Sequence, residues 1–253
     1  MGLRRFLKNY TYKKRYKVED FEIEKIVKKN ILITGANSGI GYALTKNFLN
    51  LENKVFATYN NNKENLSKID NDNLKYFKCN QSDISEIDII KDVIINKPIE
   101  IIINNVGVWG QQNQELENIN YSKFKDTIMT NALSVLKITD VVLKNSKKNS
   151  LKTVMNISST GGSIKNNNLG NAYIYRTSKS ALNSITKNMS IDLKRRFNIN
   201  VFAICPGNVK TNMNMNGILD ADICAKNLIN ILESSNDELN GKFIDLKKTE
   251  IPW

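Results

Sequence analysis

The chain has 253 residues, of which 41% are hydrophobic, and this is sufficient for one domain with a large buried core. It contains no histidine, so serine–histidine and cysteine–histidine catalysis are excluded and a zinc site is not expected. The formal charge is +12, but seven positive charges fall within residues 1–17, which contain no acid, so only +5 remains for the rest of the chain. We therefore predict no metal ion and no nucleic-acid partner.

The distribution of apolar residues and cysteines indicates the cellular compartment in which the protein is expected to reside. No apolar run approaches the roughly 20 residues that span a bilayer, so no membrane span is predicted. Arg4 and Arg5 are followed by polar and basic residues, and we expect no signal peptide. The three cysteines, Cys79, Cys205 and Cys224, have no metal-like spacing, which predicts reduced thiols and a cytoplasmic location.

Residues 1–28 are predicted to be an N-terminal extension of the domain formed by residues 29–253. The first part is basic, with Tyr10, Tyr12 and Tyr16 interleaved, and the segment after Val18 turns acidic. This pattern is typical of a mobile tail or of a strap that lies on the domain. Binding of residues 1–17 to an acidic partner is a further hypothesis, and it is compatible with any function of the domain.

From Lys29 onward, short apolar runs alternate with longer segments of helical spacing. The apolar runs predict strands at residues 31–34, 54–58, 74–78, 99–103, 151–157, 200–204 and 242–245. The amphipathic segments predict helices that include residues 84–96, 121–144, 172–197 and 221–233. Strands separated by helices require right-handed crossovers, so the fold class is α/β, with a mainly parallel sheet covered on both faces.

Most of the glycines lie where the predicted strands end. Eight of the 12 directly follow a strand, namely Gly35, Gly39, Gly41, Gly107, Gly110, Gly161, Gly162 and Gly207. The carboxyl ends of parallel strands lie at one edge of a sheet, and open α/β sheets bind ligands there. Packing would explain one or two of these glycines, whereas a shared crevice explains all of them.

The first strand leads into a glycine-rich turn. Residues 31–41 read Ile-Leu-Ile-Thr-Gly-Ala-Asn-Ser-Gly-Ile-Gly, and a helix is predicted over residues 42–50. Glycines let the backbone turn tightly and approach a pyrophosphate, while the amino end of the helix supplies N–H donors. Because a strand precedes the turn and a helix follows it, the sequence predicts a dinucleotide site.

The end of the second predicted strand bears on the choice of dinucleotide. An acid at this position would bind the ribose 2′-hydroxyl of NAD. The sequence instead has Tyr59, three asparagines and Lys63, so a 2′-phosphate would be tolerated. We predict NADP as the cofactor, with NAD as the alternative.

Two later strands also end in residues suited to a site. Asn104 and Asn105 follow a buried strand, and their amides are expected to close the strand end and shape the adenosine side of the crevice. Ser158 and Ser159 follow the next strand, where a serine hydroxyl can hydrogen-bond a substrate carbonyl.

Tyr175 and Lys179 lie four residues apart in the predicted helix over residues 172–197. This spacing stacks the two side chains on one face, about one turn apart. A nearby ammonium favours the phenolate, and a tyrosine with a lowered pKa can exchange a proton when hydride moves. After the sixth strand, the turn at Pro206 and Gly207 leads to Thr211, which is expected to meet the carboxamide or phosphates of the cofactor.

Taken in order, these motifs resemble those of the short-chain dehydrogenase/reductase family. The set comprises Thr-Gly-x-x-x-Gly-Ile-Gly, Asn-Asn-x-Gly, a serine, Tyr-x-x-x-Lys and Pro-Gly-x-Val-x-Thr, spread through residues 30–253. Residues 156–164, 173–183 and 241–253 are similar to C-factor-like proteins and Sniffer-type carbonyl reductases. The resemblance implies a single-domain Rossmann fold, a doubly wound, seven-stranded parallel sheet in the order 3-2-1-4-5-6-7.

By this resemblance, Ser159, Tyr175 and Lys179 would form the catalytic triad, and Asn131 would be its fourth member. Ser159 and Tyr175 would hold the carbonyl oxygen of the substrate where negative charge develops. Tyr175 would act as general acid/base, and Lys179 would lower its pKa and bind the nicotinamide ribose. Asn131 would hold a water that connects Lys179 to solvent.

The resemblance also implies a set of cofactor contacts, and some of them depart from the family pattern. Val106 replaces an alanine, and Asn80 stands where an aspartate holds adenine. Asn60 stands where NADP-using relatives carry an arginine. The predicted contacts are Gly35, Asn37, Ser38, Gly39, Ile40, Gly41, Asn60, Lys63, Asn80, Asn105, Val106, Gly107, Tyr175, Lys179, Pro206, Gly207, Val209 and Thr211.

The leading hypothesis is an oxidoreductase that transfers hydride between NADP(H) and a small carbonyl or alcohol substrate. The alternative is a nucleotide-binding signalling or scaffold protein that has the same fold and little turnover. The intact four-residue set favours the enzyme, because a protein that only binds nucleotide has no need of a tuned phenol. Substrate selection is expected to lie in residues 108–114 and 212–220, and a homo-oligomer is compatible with the sequence.

Overall fold

A parallel sheet is the centre of the computed structural model, which describes residues 26–233 and 237–253. Within these residues the strands are β1 (Asn30–Ile33), β2 (Lys54–Tyr59), β3 (Leu74–Lys78), β4 (Ile101–Asn104), β5 (Thr153–Ile157), β6 (Asn200–Cys205) and β7 (Phe243–Asp245). Every neighbouring pair is parallel. The order is β3-β2-β1-β4-β5-β6-β7, so the predicted fold is confirmed.

Helices cover both faces of the sheet. They are α1 (Gly39–Asn50), α2 (Glu64–Ser67), α3 (Ile89–Ile94), α4 (Tyr121–Ile128), α5 (Ser134–Asn145), α6 (Tyr173–Phe197) and α7 (Ala221–Glu233). Apolar side chains of α1 and α7 share one core cluster, and those of α3, α5 and α6 share another. Successive residues of a strand point to opposite faces, so Ile31 and Ile33 enter the first cluster and Leu32 enters the second.

Two predicted helices differ from those observed. The segment predicted as a helix over 84–96 is α-helical only over Ile89–Ile94, after a 3₁₀ turn at Glu86–Asp88. The Asp83 carboxylate accepts hydrogen bonds from the backbone N–H and the hydroxyl of Ser85, and this local turn competes with helix formation. The helix predicted over 121–144 is divided by a π-helical turn at Met129–Leu133, which separates α4 from α5.

The predicted N-terminal extension, residues 1–28, lies largely outside the described residues. Of the three described residues, Ile26 is buried and belongs to the core cluster beneath α1 and α7. Its carbonyl oxygen accepts a hydrogen bond from Asn53 Nδ2 at 2.8 Å. The division into an extension and a domain stays a prediction.

The three cysteines, Cys79, Cys205 and Cys224, are unpaired and buried. Burial raises the pKa of the Cys79 thiol to about 12, and it also raises the pKa values of Cys205 and Cys224. In the described part of the chain, no helix combines the length and the apolar character that crossing a bilayer would require.

Candidate active site

The predicted site residues meet at the carboxyl edge of the sheet, around the neighbouring strands β1 and β4. The chain proceeds from β1 towards β2 and β3 on one side, and then returns to β4 on the other side. Open parallel sheets bind ligands at such a switch point. The glycine-rich turn follows β1, and the turn at Asn105 to Gly107 follows β4, so the two turns lie side by side.

The glycine-rich turn is packed too closely to admit side chains. A Cβ atom on Gly41 would lie 2.3 Å from the Gly35 carbonyl oxygen and 2.5 Å from Asn105 Nδ2. Gly35 has a φ of 62°, and its Cβ would lie 2.8 Å from Val106 Cγ2. These glycines therefore let the turn after β1 pack directly against the start of α1 and against the turn after β4.

Asn105 and Thr34 join the turns that follow β1 and β4. Asn105 Nδ2 donates to the carbonyl oxygens of Thr34 at 3.0 Å and Gly35 at 3.1 Å. The Thr34 hydroxyl oxygen accepts from the backbone N–H groups of Asn105 at 3.0 Å and Val106 at 3.2 Å. These bonds hold the two strand ends together, and contact with adenosine stays a prediction.

The amino end of α1 offers donors to an anion. Ser38 is the N-cap residue, but its side chain makes no capping hydrogen bond, and the first turn contains no acid. The N–H groups of this turn carry the positive end of the helix dipole. Gly39 also approaches the loop after β6, since its Cβ would lie 2.9 Å from Thr211 Cγ2. Ile40 packs against the core and anchors the turn. The N–H groups and the absence of an acid suit the binding of a pyrophosphate group.

The residues predicted to select the dinucleotide lie at the ends of β2 and β3, on the other side of β1 from β4. Asn60 and Lys63 follow β2 and are exposed. Their loop is tied to the glycine-rich turn, because Asn65 Nδ2 donates to the Asn37 carbonyl oxygen at 2.9 Å. Asn80 follows β3, and its Oδ1 accepts from the backbone and hydroxyl of the serine two residues later. Its predicted contact with adenine is untested.

The loop after β6 forms the other wall of the crevice. Gly207 has a φ of 79°, which permits the sharp turn that follows the buried Pro206. Val209 is buried and forms a β-bridge with Leu219. The Thr211 N–H donates to the backbone oxygen of residue 214 at 3.2 Å, which closes the loop next to the glycine-rich turn.

The two serines after β5 point in different directions. The Ser158 hydroxyl is buried and donates to Asn183 Oδ1 at 2.6 Å. Ser159 Oγ accepts from the Gly161 N–H at 3.1 Å and shares a hydrogen bond with the Tyr175 phenol. Ser159 is thus the serine that faces the predicted acid/base, while Ser158 supports helix α6.

Tyr175 and Lys179 lie on the same side of α6 and face the crevice. Lys179 Nζ is 6.0 Å from the centroid of the Tyr175 ring. It donates to the Ile157 carbonyl oxygen at 2.9 Å, and it lies beside the turn after β4, where a Cβ on Gly107 would be 3.3 Å away. The arrangement brings a phenol, an ammonium and the Ser159 hydroxyl together at one end of the glycine-lined crevice.

The pKa of Tyr175 is raised, whereas the sequence predicted that Lys179 would lower it. Burial is the largest cause of the rise, and the hydrogen bond with Ser159 opposes it. Burial also lowers the pKa of Lys179 to about 8, with a smaller opposing effect from Cys205. The prediction was wrong in direction because desolvation penalises both charged forms, and the amine is directed towards the Ile157 carbonyl.

Asn131 lies in the π-helical turn and holds the loop after β4. Its Oδ1 accepts from the Val108 N–H at 2.8 Å, and its Nδ2 donates to the Val108 carbonyl oxygen at 2.9 Å. The same Nδ2 donates to the Ser178 hydroxyl oxygen at 2.9 Å, which links the loop to α6. The side chain is thus engaged with the protein itself, and the predicted water beside Lys179 stays a prediction.

Two neighbours of Tyr175 were not singled out from the sequence. The Trp109 ring lies against the Tyr175 ring, with centroids 4.5 Å apart. Gln114 is buried, and its Oε1 accepts from the Tyr175 N–H at 3.0 Å. Both belong to residues 108–114, where a tryptophan in an otherwise glycine- and glutamine-rich loop was the available signal.

The sequence matches the short chain dehydrogenase family model over residues 29–221, which is most of the chain. The chain belongs to the short-chain dehydrogenase family. This is a family of oxidoreductases, and the match confirms the resemblance read from the ordered motifs.

Individual relatives of this short-chain dehydrogenase agree with the predicted resemblance. It is 34% identical to the C-signal of Myxococcus xanthus over 157 residues, which are 62% of this chain and 93% of the relative. The carbonyl reductase Sniffer of D. melanogaster is 28% identical, with a TM-score of 0.80 over 90% of this chain and all of that protein. A short-chain dehydrogenase/reductase of Burkholderia multivorans with bound NADP has the same fold, at 21% identity and a TM-score of 0.78, over 89% and 100% of the two chains.

Proposed function

We propose that this short-chain dehydrogenase reduces a small carbonyl compound with NADPH. The observation that carries the proposal is the meeting of Ser159, Tyr175 and Lys179 at one end of a glycine-lined crevice. A hydroxyl, a phenol and a buried ammonium within one site suit the transfer of a proton to a carbonyl oxygen. Similarity to the carbonyl reductase Sniffer supports the same class of reaction.

The chain's own residues account for the proton transfer. Ser159 Oγ accepts from the Gly161 N–H, and its hydroxyl hydrogen can turn from the Tyr175 phenol to the carbonyl oxygen of a substrate. The raised pKa of Tyr175 keeps its phenol protonated at neutral pH. Tyr175 can therefore donate its proton to the oxygen as negative charge develops there.

A dinucleotide bound in the crevice would contact residues on both of its walls. The glycine-rich turn and the amino end of α1 would hold the pyrophosphate. The exposed ammonium of Lys63 would bind a 2′-phosphate. Lys179 would bind the nicotinamide ribose, and Thr211 would contact the cofactor from the β6 side. Bound NADPH would supply the hydride. The bound NADP of the Burkholderia protein supports the choice of dinucleotide.

A second function is favoured by the relative named C-signal. In this alternative the protein is a nucleotide-binding signalling or scaffold protein with little turnover. The two functions differ in what Tyr175 does, because binding of the dinucleotide does not need its proton. The Tyr175→Phe variant therefore discriminates between them.

We expect Tyr175→Phe to lower the turnover of reactive aldehydes and ketones by at least about 100-fold, the usual contribution of general acid catalysis. The affinity for NADPH should stay within about threefold, because the phenol oxygen is only one of many cofactor contacts. A panel of aldehydes, ketones and alcohols with NADPH and NADH measures the turnover, and a fluorescence titration measures the affinity.

Tyr173→Phe is the matched control, because Tyr173 is exposed on the same helix and has no lysine four residues later. It should retain wild-type turnover. Equal turnover in Tyr175→Phe and the wild type would refute the proposed role of the phenol. A complete absence of turnover in the wild type, with NADPH still bound, would favour the signalling function.

A further inference from the structure

The Trp109 indole covers part of the acid/base group. Its ring centroid lies 4.5 Å from that of Tyr175, and the two planes are inclined by 33°. The indole is nevertheless 38% exposed, so part of its surface is free to contact a ligand beside the phenol. A ligand beside the exposed part of the indole would therefore lie next to the Tyr175 ring.

Gln114 holds the loop that carries Trp109. The side chain is 2% exposed and uses both of its polar atoms. Gln114 Nε2 donates to the Trp109 carbonyl oxygen at 2.8 Å and to the Gln111 carbonyl oxygen at 2.9 Å. Its Oε1 accepts from the Tyr175 N–H at 3.0 Å. One buried amide therefore fixes the loop to the residue that donates the proton.

The preceding end of the loop is held as well. Asn131 hydrogen-bonds both backbone groups of Val108, the residue before Trp109. Gly110 follows with a φ of 94°, and its Cβ would lie 2.8 Å from Thr127 Oγ1 and 2.9 Å from Ile174 Cγ2. The backbone on both sides of Trp109 is thus held in place, so the position of the indole is built into the fold.

The loops at this edge of the sheet carry few charges, although amide and hydroxyl side chains are numerous in them. Residues 108–114, 160–173 and 211–219 follow β4, β5 and β6, and Lys165 is the single charged residue among them. They expose large apolar side chains, namely Val108, Ile164, Leu169, Tyr173, Met213 and Met215. A carboxylate or phosphate on the substrate would find little charge to pair with, whereas a flat apolar group would bury surface against the indole.

We propose that Trp109 is a specificity-determining residue that selects uncharged carbonyl compounds with an aryl group on the carbonyl carbon, and that Gln114 is its positioning residue. The aryl group stacks on the exposed indole while the carbonyl oxygen meets Tyr175 and Ser159. This inference rests on the proposed reductase function. It adds the class of substrate and the residue that recognises it.

The first test compares benzaldehyde with acetaldehyde, which lacks the ring, in the NADPH-dependent assay. Trp109→Ala should lower kcat/KM for benzaldehyde about tenfold, mostly through KM, because an aromatic contact is lost. The value for acetaldehyde should change by less than about threefold, since this substrate gains little from the indole. Trp109→Phe should retain most of the preference for benzaldehyde. An unchanged ratio of the two kcat/KM values in Trp109→Ala would overturn the proposal.

The second test measures binding without turnover. The chain has two tryptophans, and Trp253 stacks on Phe243 with centroids 5.6 Å apart. A Trp253→Phe variant therefore has Trp109 as its sole tryptophan, and acetophenone with NADP⁺ should quench its fluorescence in a saturable manner, whereas acetone should not. If acetophenone quenches the Trp109 fluorescence but the protein reduces no carbonyl compound, the aryl-binding site is supported and the proposed reductase function is refuted. If the protein reduces carbonyl compounds but acetophenone does not quench the fluorescence, the reductase function is supported and the aryl-binding site is refuted.

Gln114 is tested by the same ratio, because a merely structural role would not change substrate preference. Gln114→Ala should reduce the benzaldehyde-to-acetaldehyde ratio in the same direction as Trp109→Ala, although Gln114 does not face the substrate. Asn188→Ala removes an exposed amide that donates to the Ser184 carbonyl oxygen, more than three turns along α6 from Tyr175, and should leave the ratio unchanged. A Gln114→Ala variant that folds and keeps the wild-type ratio would remove Gln114 from the proposal.

Discussion

Burial governs the ionisation of Lys179 at the level of single residues. The side chain is 3% exposed, and its ammonium donates one hydrogen bond to the Ile157 carbonyl oxygen. The four-residue spacing to Tyr175 was readable from the sequence, and the structure places the two groups on one side of the helix. The depth of burial was not readable, because it depends on how β5 and the turn after β4 pack around the amine.

The lowered pKa of Lys179 predicts a specific dependence of stability on pH. Burial lowers this pKa from 10.5 to about 8. Between these values the unfolded chain binds a proton that the folded chain has released, so the free energy of unfolding rises with pH in this window. The rise attributable to Lys179 should total up to about 3 kcal/mol.

The Lys179→Met variant isolates this effect, because the other titrating groups are common to both proteins. Urea denaturation at several pH values from 7 to 10.5 should give a difference in the free energy of unfolding, wild type minus variant, that increases above pH 8. A difference that stays constant over this range would mean that Lys179 titrates normally in the folded protein.

At the level of elements, the strands were predictable and the helix interruptions were not. The run over residues 74–78 coincides with β3, and the other six runs agree with their strands within two residues at each end. Buried parallel strands are short apolar runs between turns, and this signal is local. The π-helical turn at Met129–Leu133 has no such signal, since it depends on the bonds that Asn131 makes to Val108 and Ser178.

We predict that the loop between β2 and α2 selects the dinucleotide. We expect the wild type to bind NADPH more tightly than NADH, because the loop has no acid and exposes Lys63. Asn60→Asp places a carboxylate at the end of β2, where it would bond a 2′-hydroxyl and repel a 2′-phosphate. The ratio of the NADPH to the NADH affinity should fall about tenfold, which corresponds to about 1.4 kcal/mol.

Asn62→Asp is the control for this substitution, since it adds the same charge to the same loop two residues later. Asn62 Oδ1 accepts a hydrogen bond from the Glu64 N–H at 2.7 Å, and an aspartate can accept it equally well. Titration of both variants with both cofactors separates a local contact from a general charge effect. Equal ratios in the two variants would argue against a site for the ribose at Asn60.

At the scale of the whole molecule, the crevice depends on contacts between distant parts of the chain. Gly41 meets Asn105, Gly39 meets Thr211, and Gln114 meets Tyr175, although each pair is far apart in sequence. The ordered motifs indicated that these segments share one edge of the sheet. They did not indicate which side chains would touch, because such contacts are decided by packing rather than by local pattern.

The packing of Ile26 predicts that residues 26–28 contribute to the stability of the protein. Ile26 is buried, its N–H donates to Glu233 Oε1 at 3.3 Å, and its carbonyl oxygen accepts from Asn53 Nδ2. A variant that lacks residues 1–28 should therefore unfold more readily than one that lacks residues 1–25, by about 1–3 kcal/mol. Thermal and urea denaturation of the two truncations measures the difference. Equal stabilities would show that these contacts contribute nothing.

Because all three cysteines are buried, the native chain should react little with thiol-specific labels. Maleimide dyes and spin labels react with the thiolate, and here every native thiol is enclosed and held in its protonated form at neutral pH. A single cysteine introduced at the exposed position of Gln112 would take up the probe selectively, without removal of any native residue. Binding of a dinucleotide or of a carbonyl compound next to the tryptophan-bearing loop could then be followed directly by fluorescence or electron paramagnetic resonance.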